Sequence, residues 1–343
     1  MNEATLVQSA SRVLQERLPD GWKQRIRLEA REGPPDAILD VTGPDGTKAR
    51  LPVETKAQLV PRAVADIKAR LEADASTPAL VVSTFLTPST RDRLRAANLN
   101  FLDLTGNVRL VLARPGLYVE TRGADVDPSP KRPPSRSLRG PKAARIVRTL
   151  CDIDLPLSIS DVADTAKVDV SYASRLVEWL SQEALLARKP RGAVESVDLP
   201  ALIRRWTQDY AVLTANDARS FLDPRGIENL VRSVSDGKVR GRYAITGSLA
   251  ANRIAPIAPA RLAMLYVDDV DRAASRLGLR PTEAGTNVML LTPFDEVVFE
   301  RTWTDKGLTL AATSQVAADL LTSPGRAPSE AEAILERLEK KRA

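Results

Sequence analysis

Between Ala124 and Pro141 the chain reads Ala-Asp-Val-Asp-Pro-Ser-Pro-Lys-Arg-Pro-Pro-Ser-Arg-Ser-Leu-Arg-Gly-Pro. No helix or strand survives such a stretch. Each proline lacks an amide donor and steers the residue before it away from helix, and the serines and arginines give a core nothing to bury. The 343 residues are therefore divided. We expect an α/β domain over 1–122, a basic Pro/Ser-rich linker over 123–140, a second domain over 141–213 and a third over 222–343. That division suits a length prior of roughly 100–200 residues per domain. With 43% hydrophobic and 27% charged residues the parts should fold, on aliphatic cores, since aromatics are only 4%.

Composition also removes chemistry. There is no histidine and one cysteine, Cys151. Disulfide frameworks, Cys/His zinc sites and Ser-His-Asp or Cys-His catalysis are excluded. Cys151 ends an apolar helical run and reads as a small buried hydrophobe. The N-terminus has no charged region followed by an apolar run, and no apolar stretch is long enough for a span, so a cytoplasmic protein without membrane contact is expected. The net charge of +6 is modest for this length, but its distribution is not even. No acid occurs between Asp127 and Asp152, where Lys131, Arg132, Arg136, Arg139, Lys142, Arg145 and Arg148 are all basic. Such a run suits a phosphate backbone.

Residues 141–200 carry the clearest pattern. A helix from Pro141 to about Cys151 is broken by Leu155-Pro156-Leu157. A short helix follows, with Ser160 as its expected cap and Val162, Ala163 and Ala166 inward. After a turn at Lys167-Val168, a longer helix starts with Asp169 or Ser171 and buries Leu176, Val177 and Leu180. Its first turn offers Ser171, Tyr172, Ser174 and Arg175, residue types that reach base edges and phosphates. Two short strands then flank a basic turn with Arg188, Lys189 and Arg191. This order predicts a central winged helix-turn-helix whose second helix enters the major groove. The same fold used only for protein contact is the alternative.

In the first domain, a helix over about Ala4 to Leu18 precedes strands near Gln24–Ala30, Ala37–Thr42 and Ala49–Thr55. Then come a helix from Pro61 to Leu71, a strand Ala79–Ser83, a helix Ser89–Ala97 and strands from Asn100 to Thr121. Pro35-Asp36 and Glu54-Thr55-Lys56 within this order resemble the PD-(D/E)xK pattern of the restriction-endonuclease-like fold. In active members two acids hold a divalent metal and the lysine activates water. The resemblance implies Asp36, Glu54 and Lys56 as catalytic residues, with Asp36 and Glu54 holding Mg2+ or Mn2+, if the chain is a nuclease; otherwise no cofactor is expected. The bland reading makes these acids salt-bridge partners.

In the third domain, Gly247-Ser248 and Asp269-Val270-Asp271 resemble a nucleotidyltransferase-like α/β fold. The acids follow Gly247 too distantly for such a site, and Asp268, Asp269 and Asp271 suit the cap of a helix beginning at Arg272. A non-catalytic module is expected there. The tail from Ser329 reads as an amphipathic helix with Ala331, Ile334, Leu335 and Leu338 on one side.

The stretch Asn100-Phe101-Leu102-Asp103-Leu104-Thr105-Gly106-Asn107-Val108 resembles the flDl-GN signature of AbiEi-type antitoxins of type IV toxin–antitoxin systems. The winged helix at 141–200, the helix with Trp206 and Tyr210, Tyr243 to Ala251, Leu277-Gly278-Leu279-Arg280-Pro281, Gly285 to Val288, Gln315 with Asp319-Leu320, and Pro324-Gly325-Arg326 resemble the same family in the same order. The resemblance implies a transcriptional regulator, a repressor of its own promoter, that counters a nucleotidyltransferase-like toxin. The domain over 1–122 departs from compact members. Double-stranded DNA is thus the expected partner, with the toxin and a second copy of the chain as further candidates. Two rival readings stand: a metal-dependent DNA endonuclease targeted by its winged helix, and a non-catalytic protein that neutralises a toxin by contact.

Overall fold

The computed structural model describes residues 2–29, 35–71, 79–128, 137–189 and 192–342. They form a mixed α/β protein with two seven-stranded sheets and thirteen α-helices among the described residues. The chain splits into two compact units, Met1–Arg136 with Gln182–Ala184, and Ser137–Ser181 with Leu185–Ala343. No described helix is long and apolar enough to cross a membrane.

The first unit opens with α1 (Glu3–Gln15), capped by the Asn2 side chain on the Thr5 amide and burying Leu6, Val7, Ala10 and Leu14 at helical spacing. The strands β1 (Lys23–Leu28), β2 (Ala37–Thr42) and β3 (Lys48–Lys56) form an antiparallel meander. In β2, residues alternate strictly between buried and half-buried, the period-2 pattern of a sheet with unequal faces. Next come α2 (Val64–Leu71), β4 (Leu80–Ser83), α3 (Pro88–Ala96), β5 (Asn100–Asp103), β6 (Val108–Leu112) and β7 (Leu117–Thr121). The sheet order follows the chain, β1 to β7. The pairs β3–β4 and β4–β5 are parallel, and each is joined through a helix, as parallel neighbours require. One face packs on α1 through Leu39, Leu51, Val53, Leu80 and Val82. On the other face Val81 and Phe101 meet α2 and α3 residues Ile67, Leu71 and Leu94.

The Asp103–Asn107 turn has a plain structural job. The Asp103 carboxylate accepts the amides of Leu86, Thr105 and Asn107 and the Asn107 side-chain amide. The buried Asn107 in turn accepts the Gly123 amide and donates to the Ala124 carbonyl, pinning the chain as it leaves β7. A Cβ on Gly123 would lie 2.3 Å from the Thr105 carbonyl oxygen, so only glycine fits there.

The second unit begins with α4 (Pro141–Asp152), α5 (Ile159–Ala166) and α6 (Val170–Gln182), then β8 (Leu186–Arg188), β9 (Val194–Val197), α7 (Leu199–Thr207) and α8 (Val212–Ala215). It continues through β10 (Asp217–Leu222), α9 (Ile227–Ser235), β11 (Tyr243–Thr246), α10 (Gly247–Ile254), β12 (Ala263–Val267), α11 (Val270–Leu277), β13 (Arg280–Pro281) and β14 (Val288–Thr292). The chain ends with β15 (Trp303–Asp305), β16 (Leu308–Leu310), α12 (Thr313–Leu321) and α13 (Ala327–Arg342). The second large sheet runs β13-β10-β14-β12-β11-β16-β15. One core cluster runs without a break from Leu138 through Trp206 to Leu335.

That core holds a closed polar network. The buried Asp319 carboxylate accepts Tyr210 Oη at 2.6 Å, Tyr266 Oη at 2.9 Å, Thr246 Oγ1 at 2.5 Å and Gln315 Nε2 at 2.8 Å. Gln315 Oε1 accepts Arg148 Nη1 at 2.9 Å, linking α4 to α12. Arg148 is fully buried, also donating to Asp152 and to the carbonyls of Val297 and Glu300. Arg145 makes a bidentate pair with Asp295. The expectation that the whole basic run to Arg148 grips phosphates is corrected here: these two guanidiniums are consumed inside the unit. The Cys151 side chain is buried, as its apolar run implied.

Candidate nucleic-acid interface

α5 starts two residues earlier than its expected cap suggested. Ser158, not Ser160, caps it: Ser158 Oγ accepts the Asp161 amide and the Asp161 carboxylate accepts the Ser158 amide, a reciprocal capping box. The helix ends at Lys167, whose left-handed φ of 51° reverses the chain. Asp169 Oδ1 then accepts the amides of Ser171 and Tyr172 and so starts α6. These bonds, the Ser171 hydroxyl's foremost, hold the Asp169 carboxyl below its ordinary range.

α6 buries Ala173, Leu176, Val177 and Leu180. Its outer side presents Ser171 and Arg175 fully and Ser174 and Glu178 partly, with Val170 48% exposed beside them. Tyr172 leans back onto the core. Arg175 is the helix's one cation, set between Asp169 and Glu178, so charge alone does not make this an anion site. Polar and small side chains around one guanidinium can instead read base edges.

The following hairpin is tied down from an unexpected side. Leu157 and Val194 exchange both backbone hydrogen bonds, at 3.1 and 2.8 Å, adding a third strand-like contact to β8 and β9. Lys189 is 75% exposed on its side chain and pairs with Glu195 at 3.0 Å. Arg188 is only 10% exposed and lies 3.8 Å from Glu178, so it braces the hairpin against α6 as much as it faces outward. Arg139 and Lys142 are exposed at the head of α4, just after Leu138, which is buried and donates its amide to Asp209. Sequence reasoning missed Leu138, Leu157 and Val170; two lone leucines beside prolines or arginines carry no periodic signal. Lys131, Arg132, Arg136 and Arg191 lie outside the described residues.

In the first unit, the β2–β3 register sets Ala37 against Val53, which brings Asp36 beside Glu54, and Lys56 follows on the same face. The donors are already engaged. Asp36 Oδ2 accepts the Thr55 amide at 2.7 Å and its hydroxyl at 2.9 Å. Glu54, 2% exposed, has Oε1 held by Lys56 at 2.7 Å and by Arg70 of α2 at 2.8 Å, while Oε2 is buried without a partner. Among the described residues no three acids gather to hold a metal. Two cations stand on the carboxylate that a divalent ion would need, so the set does not fit a metal as arranged.

In the second unit, Gly247 opens α10 with φ of 64°, and a Cβ there would press on Met264. Asp269 caps α11 on the Arg272 amide at 2.9 Å, Asp268 accepts the Arg242 amide at 2.8 Å, and Asp271 pairs with Arg219 at 2.8 Å. The expected cap is thus narrowed to Asp269, and α11 begins at Val270 rather than Arg272, while Asp268 and Asp271 serve Arg242 and Arg219. No family model, curated protein or solved structure matches the chain.

Proposed function

We propose that the protein is a sequence-specific DNA-binding regulator whose residues 141–213 work as a winged helix-turn-helix. What supports this is the outer side of α6: a capped helix whose first two turns leave Ser171 and Arg175 exposed, followed by a hairpin carrying Lys189. In this reading α6 enters the major groove, where Arg175 reads bases. Lys189, Arg139 and Lys142 contact phosphates and set the register. The repressor role, the toxin partner and the kinship with AbiEi-type antitoxins rest on the order of motifs in the sequence, as does a nucleotidyltransferase-like C-terminal part.

The test is a gel-shift titration of the purified protein on its own upstream DNA and on a random duplex. A discrete, salt-sensitive shift that favours the upstream DNA is expected. Arg175→Ala should cut the preference by one bidentate contact, about 1–3 kcal/mol, while barely changing random-duplex binding. Equal losses on both duplexes would remove Arg175 from the reading role.

The nuclease reading is favoured by one observation, the assembly of Asp36, Glu54 and Lys56 at the neighbouring strands β2 and β3 with an unpartnered Glu54 oxygen. Parallel lanes with Mg2+ or Mn2+ decide it. Intact DNA in every lane makes this cluster a structural salt bridge. Metal-dependent cutting lost in both Glu54→Ala and Lys56→Ala would establish the nuclease and demote the regulator.

A further inference from the structure

The meander β1–β2–β3 has one face on α1 and a second face that α2 and α3, which pack over β4 and β5, leave open. Strand alternation loads that open face with cations. In register across the three strands stand Lys23, Thr42 and Lys48, and next to them Arg25, Asp40 and Arg50, with Arg27 one step further. Together they line a shallow groove of ≈ 330 Å³. Asp40, on the central strand, holds both Arg27 of β1 and Arg50 of β3, the latter at 2.9 Å from Nε. The Arg50 hydrogen bond foremost keeps the Asp40 carboxyl below its ordinary range, so it stays a fixed anchor. Glu29, on the same face beyond Arg27, also attracts Arg50. Lys23, Arg25 and Lys48 are exposed.

We infer that this sheet face is a second, sequence-independent binding site for the phosphate backbone of duplex DNA. Alternate residues on a strand are about 7 Å apart and β1 lies about 10 Å from β3, giving two parallel rows of cations. Rows of that kind neutralise a run of phosphates and release their counterions. Among the described residues no aromatic side chain lines the groove, so single-stranded bases have nothing to stack on. A protein partner would want an apolar or aromatic centre, and among the described residues the groove lining offers none, Ile38 and Pro52 standing at its end beside Arg27. The site lies wholly in the first unit and does not depend on the α6 reading.

The full-length protein is titrated against random and upstream duplexes over a range of KCl, beside the triple variant Lys23→Gln/Arg25→Gln/Lys48→Gln. Arg27 and Arg50 are left in place because Asp40 is their partner. The variant should bind both duplexes more weakly by the same factor, with a salt slope lower by roughly 2–3. Lys23→Arg/Lys48→Arg should behave as the parent. An unchanged slope in a variant that melts like the parent overturns the inference. So does a variant that aggregates while its soluble fraction binds normally, because the charges would then only guard the edge strand β1. Stronger binding to single strands than to duplex overturns it too. If the triple variant loses random-duplex affinity but the parent shows no upstream preference, the regulator reading fails and this site stands. If the preference survives with the slope unchanged, the site fails alone.

Discussion

Arg148 and Arg139 belong to one basic run, yet the fold treats them oppositely. Arg148 is sealed inside α4 and spends its donors on Asp152, Gln315 and two carbonyls, whereas Arg139 stays in solvent. Removing the buried guanidinium takes the donor from the buried Gln315 Oε1 and leaves Asp152 with Arg301 as its cation. Arg148→Ala should therefore cost about 3–5 kcal/mol in urea unfolding. Arg148→Lys should fail to restore it, since an ammonium cannot span the fork. Arg139→Ala should leave stability within about 0.5 kcal/mol and weaken DNA binding instead. Sequence hid this difference because the walls around Arg148 come from Val297, Glu300 and Gln315, far along the chain. Only Asp152, one turn on, hinted at an internal pair. The Asp36–Glu54–Lys56 cluster was legible as a placement, since strand alternation sets which residues share a face. The hold of Arg70 on Glu54 was not, because it depends on how α2 lies over the sheet.

Helix starts and turns decide much at the next scale. The Ser158–Asp161 box fixes where α5 begins, and α5 sets the angle at which Lys167 and Asp169 launch α6. Ser158→Ala should lower stability by about 1 kcal/mol, read as a shifted melting temperature, and Ser160→Ala should not. Two serines two residues apart look alike in a sequence; the box needs its acid three residues after the cap, which Asp161 supplies for Ser158 alone. The order of strands and helices in the first unit was readable from alternation, whereas the parallel pairing of β3, β4 and β5 comes from the structure. The clasp between Leu157 and Val194 was not, since a single bridge leaves no pattern.

Across the whole second unit, the Asp319 network binds the α7–α8 connection, β11, β12 and α12 into one body. Burial is the largest influence on Asp319 and lifts its carboxyl above the ordinary 3.8, against the pull of its four donors. A group that keeps its proton better folded than unfolded gives its full stabilisation below the unfolded value, and loses it as pH rises through the folded one. The unit should therefore weaken as pH climbs above the usual carboxylate range. In Asp319→Asn that part of the slope should vanish from urea midpoints measured between about pH 4 and about pH 8. A slope unchanged by the substitution would assign the pH dependence to other groups. Burial pushes the Tyr210 and Tyr266 hydroxyls well above their usual range, so both remain donors throughout.

The unbroken core from Leu138 to Leu335 also bears on how such a chain can be re-used. Trp206 and Tyr210 stack at 4.8 Å, and Tyr210 also meets Phe294 and Asp319, so residues 141–213 are not a portable cassette. Grafted alone onto another protein, they would present a wet aromatic wall where β12 and α12 once lay. An engineer or a recombination event wishing to move the α6 surface would have to carry everything from Ser137 to the last helix with it.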